Sequence, residues 1–139
     1  MQNLMRFLTP KSRVAYIDDR GSVRQALEKM RYHGYNALPV IDGEGKYVGT
    51  LTEGDFLWFL IGRGNADLRA CEDTPVHTLL RPDWNPAVRA DATMGDLLPR
   101  VEERNFVPVV DDRDCFVGLI TRRDVLSYFA RRAKGAEDE

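Results

Sequence analysis

The sequence predicts an α+β fold in which two tandem copies of a β-α-β-β-α unit pack as one pseudo-two-fold module. Residues 36–42 (NALPVID) return as residues 105–111 (NFVPVVD), and Asp55 returns as Asp124 at the same offset of 69. A unit of roughly 60 residues buries only about 60% of its chain surface and is marginal alone. We therefore expect the two copies to share a core and to leave a cleft between them.

The first helix of each copy is predicted from an apolar stripe with helical spacing. The stripe residues are Val23, Ala26, Leu27 and Met30 in the first copy, and Met94, Leu97, Leu98 and Val101 in the second. Ser22 and Gln25 make a capping box at the start of the first helix. Pro99 is expected to strain the second helix, because proline removes a helical hydrogen-bond donor.

A β-hairpin and a closing helix complete each copy. Hairpin strands are predicted over residues 38–41 and 47–51, and again over residues 107–110 and 116–120. The turns are Gly43-Glu44-Gly45 and Asp112-Arg113-Asp114. Closing helices are predicted over residues 56–61, with Gly62 as the stop, and over residues 125–132.

These elements divide the chain into five segments. They are an N-terminal helix or arm (1–11), repeat one (12–62), a linker (63–81), repeat two (82–132) and a flexible charged tail (133–139). Thr74-Pro75 predicts a helix cap followed by proline at the first helical position, so the linker should hold a short helix. The arm should pack on the body of the protein or on a partner subunit.

Composition limits the classes of function. With 43% hydrophobic residues the chain has enough apolar material for a shared core, and its net charge of −2 argues against binding nucleic acid or an anionic membrane. The longest apolar run, residues 56–61, is far below the ~18 residues that span a bilayer. The first residues show no signal-peptide pattern, so we expect a cytoplasmic location. Cys71 and Cys115 are then expected to be reduced thiols.

Three features that occur twice in register resemble the cystathionine β-synthase (CBS) domain pair: a proline-valine strand, a Val-Gly hairpin return and a Thr-x-x-Asp motif opening the last helix. The resemblance covers about residues 12–132. It implies sheet-to-sheet packing of the copies, two symmetry-related clefts for adenine nucleotides, and pairing into dimers. Stand-alone pairs of this family are usually ligand sensors and not enzymes.

The resemblance also implies that each cleft combines strands of one repeat with the Thr-x-x-Asp motif of the other. The first cleft would contain Arg13, Ala15, Tyr35, Asn36, Ala37, Leu38, Thr121, Arg122, Arg123 and Asp124. The second would contain Trp84, Pro86, Asn105, Phe106, Val107, Thr52, Glu53, Gly54 and Asp55. Free N–H groups at a helix N-terminus and two arginines favour a phosphate in the first cleft. Carboxylates at the same place in the second cleft would repel one, so we expect a single phosphate site.

A narrower resemblance concerns the ligand. Arg13-Val14-Ala15, residues 34–40 (GYNALPV) and Thr121-Arg122-Arg123 resemble small bacterial CBS-pair proteins that bind cyclic di-AMP. Two phosphates and two adenines suit paired arginines, strand carbonyls and a stacking ring at Tyr35. Asp55 and Asp124 match the ribose-binding carboxylates of the family's AMP sites. Because of these two residues, AMP, ADP and ATP remain alternative ligands, and S-adenosylmethionine is a further possible ligand.

Several of these residues also have an ordinary structural explanation. Thr121-x-x-Asp124 is also an ordinary capping box, Tyr35 can be a strand-edge aromatic, and arginine pairs are mostly solvated surface charges. His33 and His77 have no partners at metal-ligand spacing, and no nucleophile with an adjacent base or Gly-rich phosphate loop is present in the sequence. We therefore expect no catalytic residue, no metal and no cofactor other than a regulatory nucleotide.

Residues 56–61 are apolar on all sides, which predicts either deep burial or a subunit interface. We expect a homodimer that forms through the closing helices of the repeats. A ligand would then act through contacts with a target protein that the sequence does not identify. The alternative of a different class is a structural adaptor in which side chains fill both clefts.

Overall fold

The computed structural model describes residues 3–62 and 68–137, which form two compact units. The first-repeat unit is Ala15–Asn85, and the second-repeat unit joins Met1–Val14 to Pro86–Glu139. Each unit has its own cluster of buried apolar side chains. The N-terminal arm therefore belongs to the core of the second repeat.

The strands, in chain order, are β1 (Thr9–Pro10), β2 (Ile17–Asp18), β3 (Ala37–Ile41), β4 (Tyr47–Thr52), β5 (Val88–Arg89), β6 (Phe106–Val110) and β7 (Phe116–Thr121). The helices are α1 (Val23–His33), α2 (Glu53–Gly62), α3 (Leu68–Asp73), α4 (Met94–Glu103) and α5 (Arg122–Glu137). Short 3₁₀ turns cover Leu4–Phe7, Lys11–Arg13 and Val76–Leu79. No helix in the described part of the chain is both long and apolar enough to cross a membrane.

The first-repeat unit contains a three-stranded sheet with the order β2-β3-β4. β2 pairs parallel with β3, and β3 pairs antiparallel with β4. The predicted capping box of Ser22 and Gln25 starts α1, and the stripe of Val23, Ala26 and Met30 is buried against the sheet. Gly34 ends α1 in the left-handed conformation that glycine adopts without strain.

The second-repeat unit contains a four-stranded sheet with the order β1-β7-β6-β5. Its helix α4 has its own capping box, made by Thr93 and Asp96, and it buries Leu97 and Val101. α4 runs through Pro99 without ending there. The additional strand β1 comes from the N-terminal arm, whose Leu4 is also buried in this core.

The two hairpins have the same register. Pro39 pairs with Thr50 as Pro108 pairs with Leu119, and the register shifts immediately after Val40 in one hairpin and after its counterpart in the other. Both hairpins run directly into their closing helices, α2 and α5. The predicted α+β fold of two β-α-β-β-α repeats is confirmed.

The arm packs on the second repeat at one glycine. A Cβ on Gly118 would lie 2.2 Å from the carbonyl oxygen of Thr9, so β1 can approach β7 this closely only because position 118 is glycine. The prediction that the arm packs on the body of the protein is confirmed. The Lys11–Arg13 turn, which follows this pairing, also contacts β7.

Two local predictions differ from the structure. α5 continues to Glu137 and includes much of the expected tail, because its last turns contain helix-forming alanine, arginine and lysine. In the linker, Thr74 does not cap a following helix: its hydroxyl donates to the Ala70 carbonyl at 2.6 Å and completes the end of α3. Pro75 then takes the N-cap position of the Val76–Leu79 turn instead of its first helical position.

Candidate functional site

The two Thr-x-x-Asp motifs have the same backbone geometry. Residues 52–55 begin α2, and residues 121–124 begin α5. The first backbone N–H of each helix donates to an asparagine carbonyl, from Glu53 to Asn36 at 3.0 Å and from Arg122 to Asn105 at 2.8 Å. We call residues 121–124 the open motif and residues 52–55 the closed motif, because their carboxylates differ in what they contact.

In the open motif, Asp124 is exposed. Its backbone N–H donates to the Thr121 hydroxyl at 3.1 Å, which caps the start of α5. Within the part of the chain that the structure describes, the Asp124 carboxylate accepts no hydrogen bond and pairs with no cation. A carboxylate held at a helix start without a protein partner is available to a ligand.

Arginines surround this carboxylate. Asp124 lines a cavity of ≈ 380 Å³ within the second-repeat unit, together with Arg6, Arg13 and Arg131. It also lines an adjoining depression with Arg123 and Arg131. The volume lies in the range of roughly 300–1,000 Å³ that is usual for small-molecule sites. Four cations facing one carboxylate give the site a net positive charge, which suits an anion.

The structure brings four of the predicted site residues together here: Arg13, Thr121, Arg123 and Asp124. Arg13 and Arg123 are exposed and, among the described residues, make no hydrogen bond or ion pair. Their guanidinium groups are free to donate to a phosphate, and a bidentate arginine contact is the strong form of that bond.

Arg122 has a different environment from its neighbour. Its Nε donates to the carbonyl of Val101 at 2.6 Å, its Nη2 to that of Glu102 at 2.9 Å, and its Nη1 to Asn105 Oδ1 at 3.2 Å. These contacts satisfy carbonyls at the C-terminal end of α4, where a cation is also favoured by the helix dipole. The contacts favour a structural role for Arg122, and phosphate binding by this residue stays a prediction.

The pocket residues that the sequence did not predict include Arg6, Tyr128 and Arg131. Arg131 lies seven residues after Asp124, and Tyr128 lies four after it, so helical spacing alone indicates that they share a face. Arg6 comes from the arm, where its Nη1 donates to the Tyr128 hydroxyl at 3.3 Å. No pattern in the sequence links Arg6 to α5, because the link depends on the pairing of β1 with β7.

The closed motif has no free carboxylate. Asp55 is buried, and its Oδ2 accepts from the backbone N–H and the hydroxyl of Thr52 at 2.8 and 3.0 Å. Its Oδ1 pairs with Arg81 Nε at 2.9 Å, and the Arg81 guanidinium stacks on Trp84 with its carbon 4.2 Å from the ring centroid. The expected repulsion of phosphate by two carboxylates therefore applies to Glu53 alone, since Arg81 neutralises Asp55.

The predicted site residues of the first repeat lie at the start of the unit, just before β3 and in its first two positions. Tyr35 is 51% exposed and stacks on His33, with ring centroids 5.4 Å apart and planes 10° from parallel. Asn36 is exposed, Ala15 and Ala37 are half-buried, and Leu38 is buried in the core. Leu38 can therefore offer a ligand only its backbone, as the prediction of strand carbonyl contacts requires.

No group of three or more histidine, cysteine, aspartate or glutamate side chains that could hold a metal ion is found within residues 3–62 and 68–137. Cys71, which is buried, and Cys115, which is half-buried, are not joined in a disulfide.

The fold and the paired motifs define a class of protein. Residues 7–62 and 72–131 match the CBS domain family, and the chain belongs to that family as a tandem CBS domain pair. CBS pairs are generally regulatory and not catalytic. Protein MJ1225 of Methanocaldococcus jannaschii is 28% identical over 120 residues, which cover 78% of this chain and 41% of that protein. The chain thus spans about two fifths of the length of this relative.

Solved structures show the same fold. CbpB in complex with c-di-AMP has a TM-score of 0.88 at 24% identity, covering 99% of this chain and 90% of that chain. A CBS domain protein from Streptococcus pneumoniae TIGR4 has a TM-score of 0.85 at 26% identity, covering 93% and 87%. CBSX2 in complex with AMP has a TM-score of 0.74 at 24% identity, covering 96% and 99%.

Proposed function

We propose that this chain is a non-catalytic sensor of adenine nucleotides whose open motif holds the ligand's phosphate and ribose. The observation that carries this proposal is the exposed carboxylate of Asp124, which has no partner among the described residues and lies in a pocket lined by arginines. A ligand that satisfies both kinds of group must carry hydroxyl donors beside an anionic group. A ribose phosphate is such a ligand.

Each part of the pocket has a chemical task in this proposal. The Asp124 carboxylate accepts hydrogen bonds from ribose hydroxyls, while Arg13, Arg123 and Arg131 donate to phosphate oxygens. The N-terminus of α5, which is 16 residues long, adds a favourable dipole for an anion. Because the side chains lie on a strand-paired arm and a helix, little ordering should be needed on binding.

Cyclic di-AMP is the first candidate ligand. Its two phosphates require cations at more than one point, and the pocket has several arginines spread over the arm and α5. CbpB, whose fold this chain has, is a c-di-AMP-binding protein. The predicted adenine contacts are Ala15, Tyr35, Asn36, Ala37 and Leu38, and they stay a prediction from the family resemblance.

AMP, ADP or ATP is the second candidate, and Asp124 favours it. A linear nucleotide has a free 2′,3′-diol that can donate two hydrogen bonds to one carboxylate. A 3′,5′-cyclic dinucleotide leaves only the 2′-hydroxyl of each ribose free. Removal of Asp124 should therefore weaken AMP more than c-di-AMP, and this difference identifies the cognate class.

Signalling would require a protein contact that differs between the free and bound states, since a ligand regulates only through differential affinity for two states. We propose that the chain works as a homodimer. Leu57, Trp58 and Ile61 form an exposed apolar face on α2, and Leu126 and Phe129 are exposed on α5. Such faces are typical of interaction surfaces.

The experiment that tests the proposal is calorimetric titration with c-di-AMP, AMP, ADP, ATP and S-adenosylmethionine, repeated with Asp124→Ala. Binding of one of the adenine nucleotides that is weakened by Asp124→Ala supports the proposal. A structural adaptor would bind none of the five. Binding that Asp124→Ala leaves unchanged would place the ligand away from the open motif.

A further inference from the structure

Arg81 contacts the closed motif in the way that a bound ligand would. Its Nε pairs with Asp55 Oδ1 at 2.9 Å, and its Nη2 lies 3.4 Å from the Thr52 hydroxyl. One face of the guanidinium lies over the ring of Trp84. Both polar side chains of the motif and a stacking aromatic therefore meet one group of the same chain.

Neighbouring residues hold Arg81 in this place. The preceding residue, Leu80, lies on β4, where a Cβ on Gly49 would be only 3.2 Å from Leu80 Cδ1. Val76, in the 3₁₀ turn just before it, is fully buried in the core of the first repeat. The Arg81 side chain is 48% exposed, so a solvent path to the motif exists beside it.

The open motif has the same framework with a different residue at the matching point. Gly118 of β7 is the repeat partner of Gly49, and a Cβ there would lie 2.9 Å from Leu8 Cδ1, as a Cβ on Gly49 would lie 3.2 Å from Leu80 Cδ1. Leu8 follows the Leu4–Phe7 turn as Leu80 follows the Val76–Leu79 turn, and the residue after Leu8, Thr9, lines the pocket around Asp124. Arg81 thus occupies in one unit the place that Thr9 occupies in the other, and the short, uncharged threonine side chain supplies no cation to the Asp124 carboxylate.

We infer that Arg81 is a built-in ligand of the closed motif: it excludes nucleotide ribose from Asp55 and limits each chain to one nucleotide, held by the open motif. The chemical class of the excluded ligand, a nucleoside with a 2′,3′-diol, rests on the proposed function. The pairing of Asp55 with the Arg81 guanidinium does not depend on the proposed function. A tethered guanidinium competes at an effective concentration in the millimolar range. A neutral ribose must displace it from a buried carboxylate.

The test is amide NMR of the full chain titrated with adenosine and with AMP. Wild type, Arg81→Ala and Arg24→Ala are compared, because Arg24 is an arginine of the same unit with a similar exposure of 45% and its own ion pair. We expect AMP to shift the amides of residues 121–124 in all three proteins. Adenosine should shift those of residues 52–55 in Arg81→Ala alone.

Two results would overturn the inference while leaving the proposed function intact. In the first, adenosine shifts the amides of residues 52–55 in the wild type. In the second, adenosine does not shift them in Arg81→Ala although AMP still shifts residues 121–124. Arg81→Gln keeps the aliphatic stem over Trp84 and replaces Arg81→Ala if that variant does not fold. The first result, a shift of residues 52–55 in the wild type, can be measured without any variant.

A second experiment uses no nucleotide. Millimolar ethylguanidinium should shift the amides of residues 52–55 and raise the melting temperature of Arg81→Ala, and it should do neither in Arg24→Ala. If AMP and adenosine shift no amide in any protein, the proposed function is wrong and this experiment decides the inference. If ethylguanidinium then neither shifts these amides nor raises the melting temperature of Arg81→Ala, the inference is wrong.

Discussion

The open and closed motifs have the same sequence pattern, the same helix start and the same backbone hydrogen bond, yet only one has a free carboxylate. In the closed motif Asp55 is buried under Arg81, whereas in the open motif Asp124 is exposed between arginines that do not pair with it. The difference comes from segments that precede the repeats. A duplicated framework thus sets where a site can form, and the flanking segments decide whether it is occupied.

The closing helices extend this comparison and lead to the largest expected effect. α2 exposes Trp58 by 71% between Leu57 and Ile61, whereas the exposed Leu126 and Phe129 of α5 lie among charged residues. We predict that Trp58→Glu converts a homodimer to monomer or aggregate, because a charge in an apolar interface is costly. Light scattering on gel-filtered protein measures the mass.

Tyr32→Glu is the matched control, because Tyr32 is an aromatic residue of the same unit that is 84% exposed and lies outside α2. It should leave the mass unchanged. A Trp58→Glu protein that stays dimeric with unchanged stability would place the interface elsewhere.

An arginine placed at the counterpart of Arg81 in the arm should convert the open motif into a closed one. We predict that Thr9→Arg lowers nucleotide affinity roughly tenfold or more, because a tethered guanidinium would compete for Asp124 at millimolar effective concentration. Calorimetry measures the affinity, and Thr9→Ala controls for loss of the threonine side chain itself. Wild-type affinity in Thr9→Arg would mean that the Asp124 carboxylate is not used by the ligand.

The arginines of the open motif should contribute most of the phosphate binding. Arg123→Ala is expected to remove about 1.5–3 kcal/mol, or roughly 10- to 150-fold in Kd, the scale of a charge-assisted hydrogen bond. Binding should also weaken as salt is raised, because the contact is partly exposed and screened.

Two controls sharpen the Arg123 prediction. Arg89→Ala removes an exposed arginine of the same unit whose partner is Asp91, and it should leave Kd unchanged. Glu53→Ala, in the closed motif, should have little effect or improve binding slightly by removing a negative charge. Loss of binding in Glu53→Ala with normal binding in Arg123→Ala would mean that the two motifs have been assigned the wrong way round.

Arg122 tests whether adjacent arginines have separate roles. Because its guanidinium holds two carbonyls at the end of α4, Arg122→Ala should lower the free energy of unfolding by about 1.5–3 kcal/mol. Urea denaturation measures this loss, with Arg123→Ala as the stable control. If Arg122→Ala instead keeps full stability and loses nucleotide binding, the phosphate role predicted from the sequence is correct.

Much of the fold was predictable because the signals are local and occur twice. The spacing of Pro39 and Pro108 located both hairpins, and Ser22 with Gln25 located the start of α1. The closing helices were located too, although α5 runs further than its charge pattern indicated.

The chemistry of the site was only partly predictable. Arg13, Arg123 and Asp124 follow from the motifs, but the pairing of Arg81 with Asp55 joins residues 26 positions apart through the course of the linker. Arg6 reaches the pocket only because β1 adds to the second sheet. Such contacts depend on tertiary packing, which leaves no periodic signal in the sequence.

The smallest expected effect concerns the hairpin turns. Asp42 and Asp111 take the same position in the two repeats, and each accepts two backbone N–H bonds in its turn. The bonds from Arg113 and then from Cys115 hold the pKa of the Asp111 carboxyl below its usual value of 3.8. A carboxyl with a lowered folded-state pKa stabilises the fold above its unfolded pKa, and this contribution is lost as pH falls below about 4.

We predict that Asp111→Asn reduces the fall in stability between pH 5 and pH 3, since asparagine keeps the acceptor oxygen and does not titrate. Urea midpoints across pH measure the slope, and Asp112→Asn, an exposed neighbour in the same turn, is the control. The change should be small because the turn is at the surface, where water screens charge. An unchanged slope in Asp111→Asn would show that the two backbone bonds do not favour the ionised carboxylate over the protonated one.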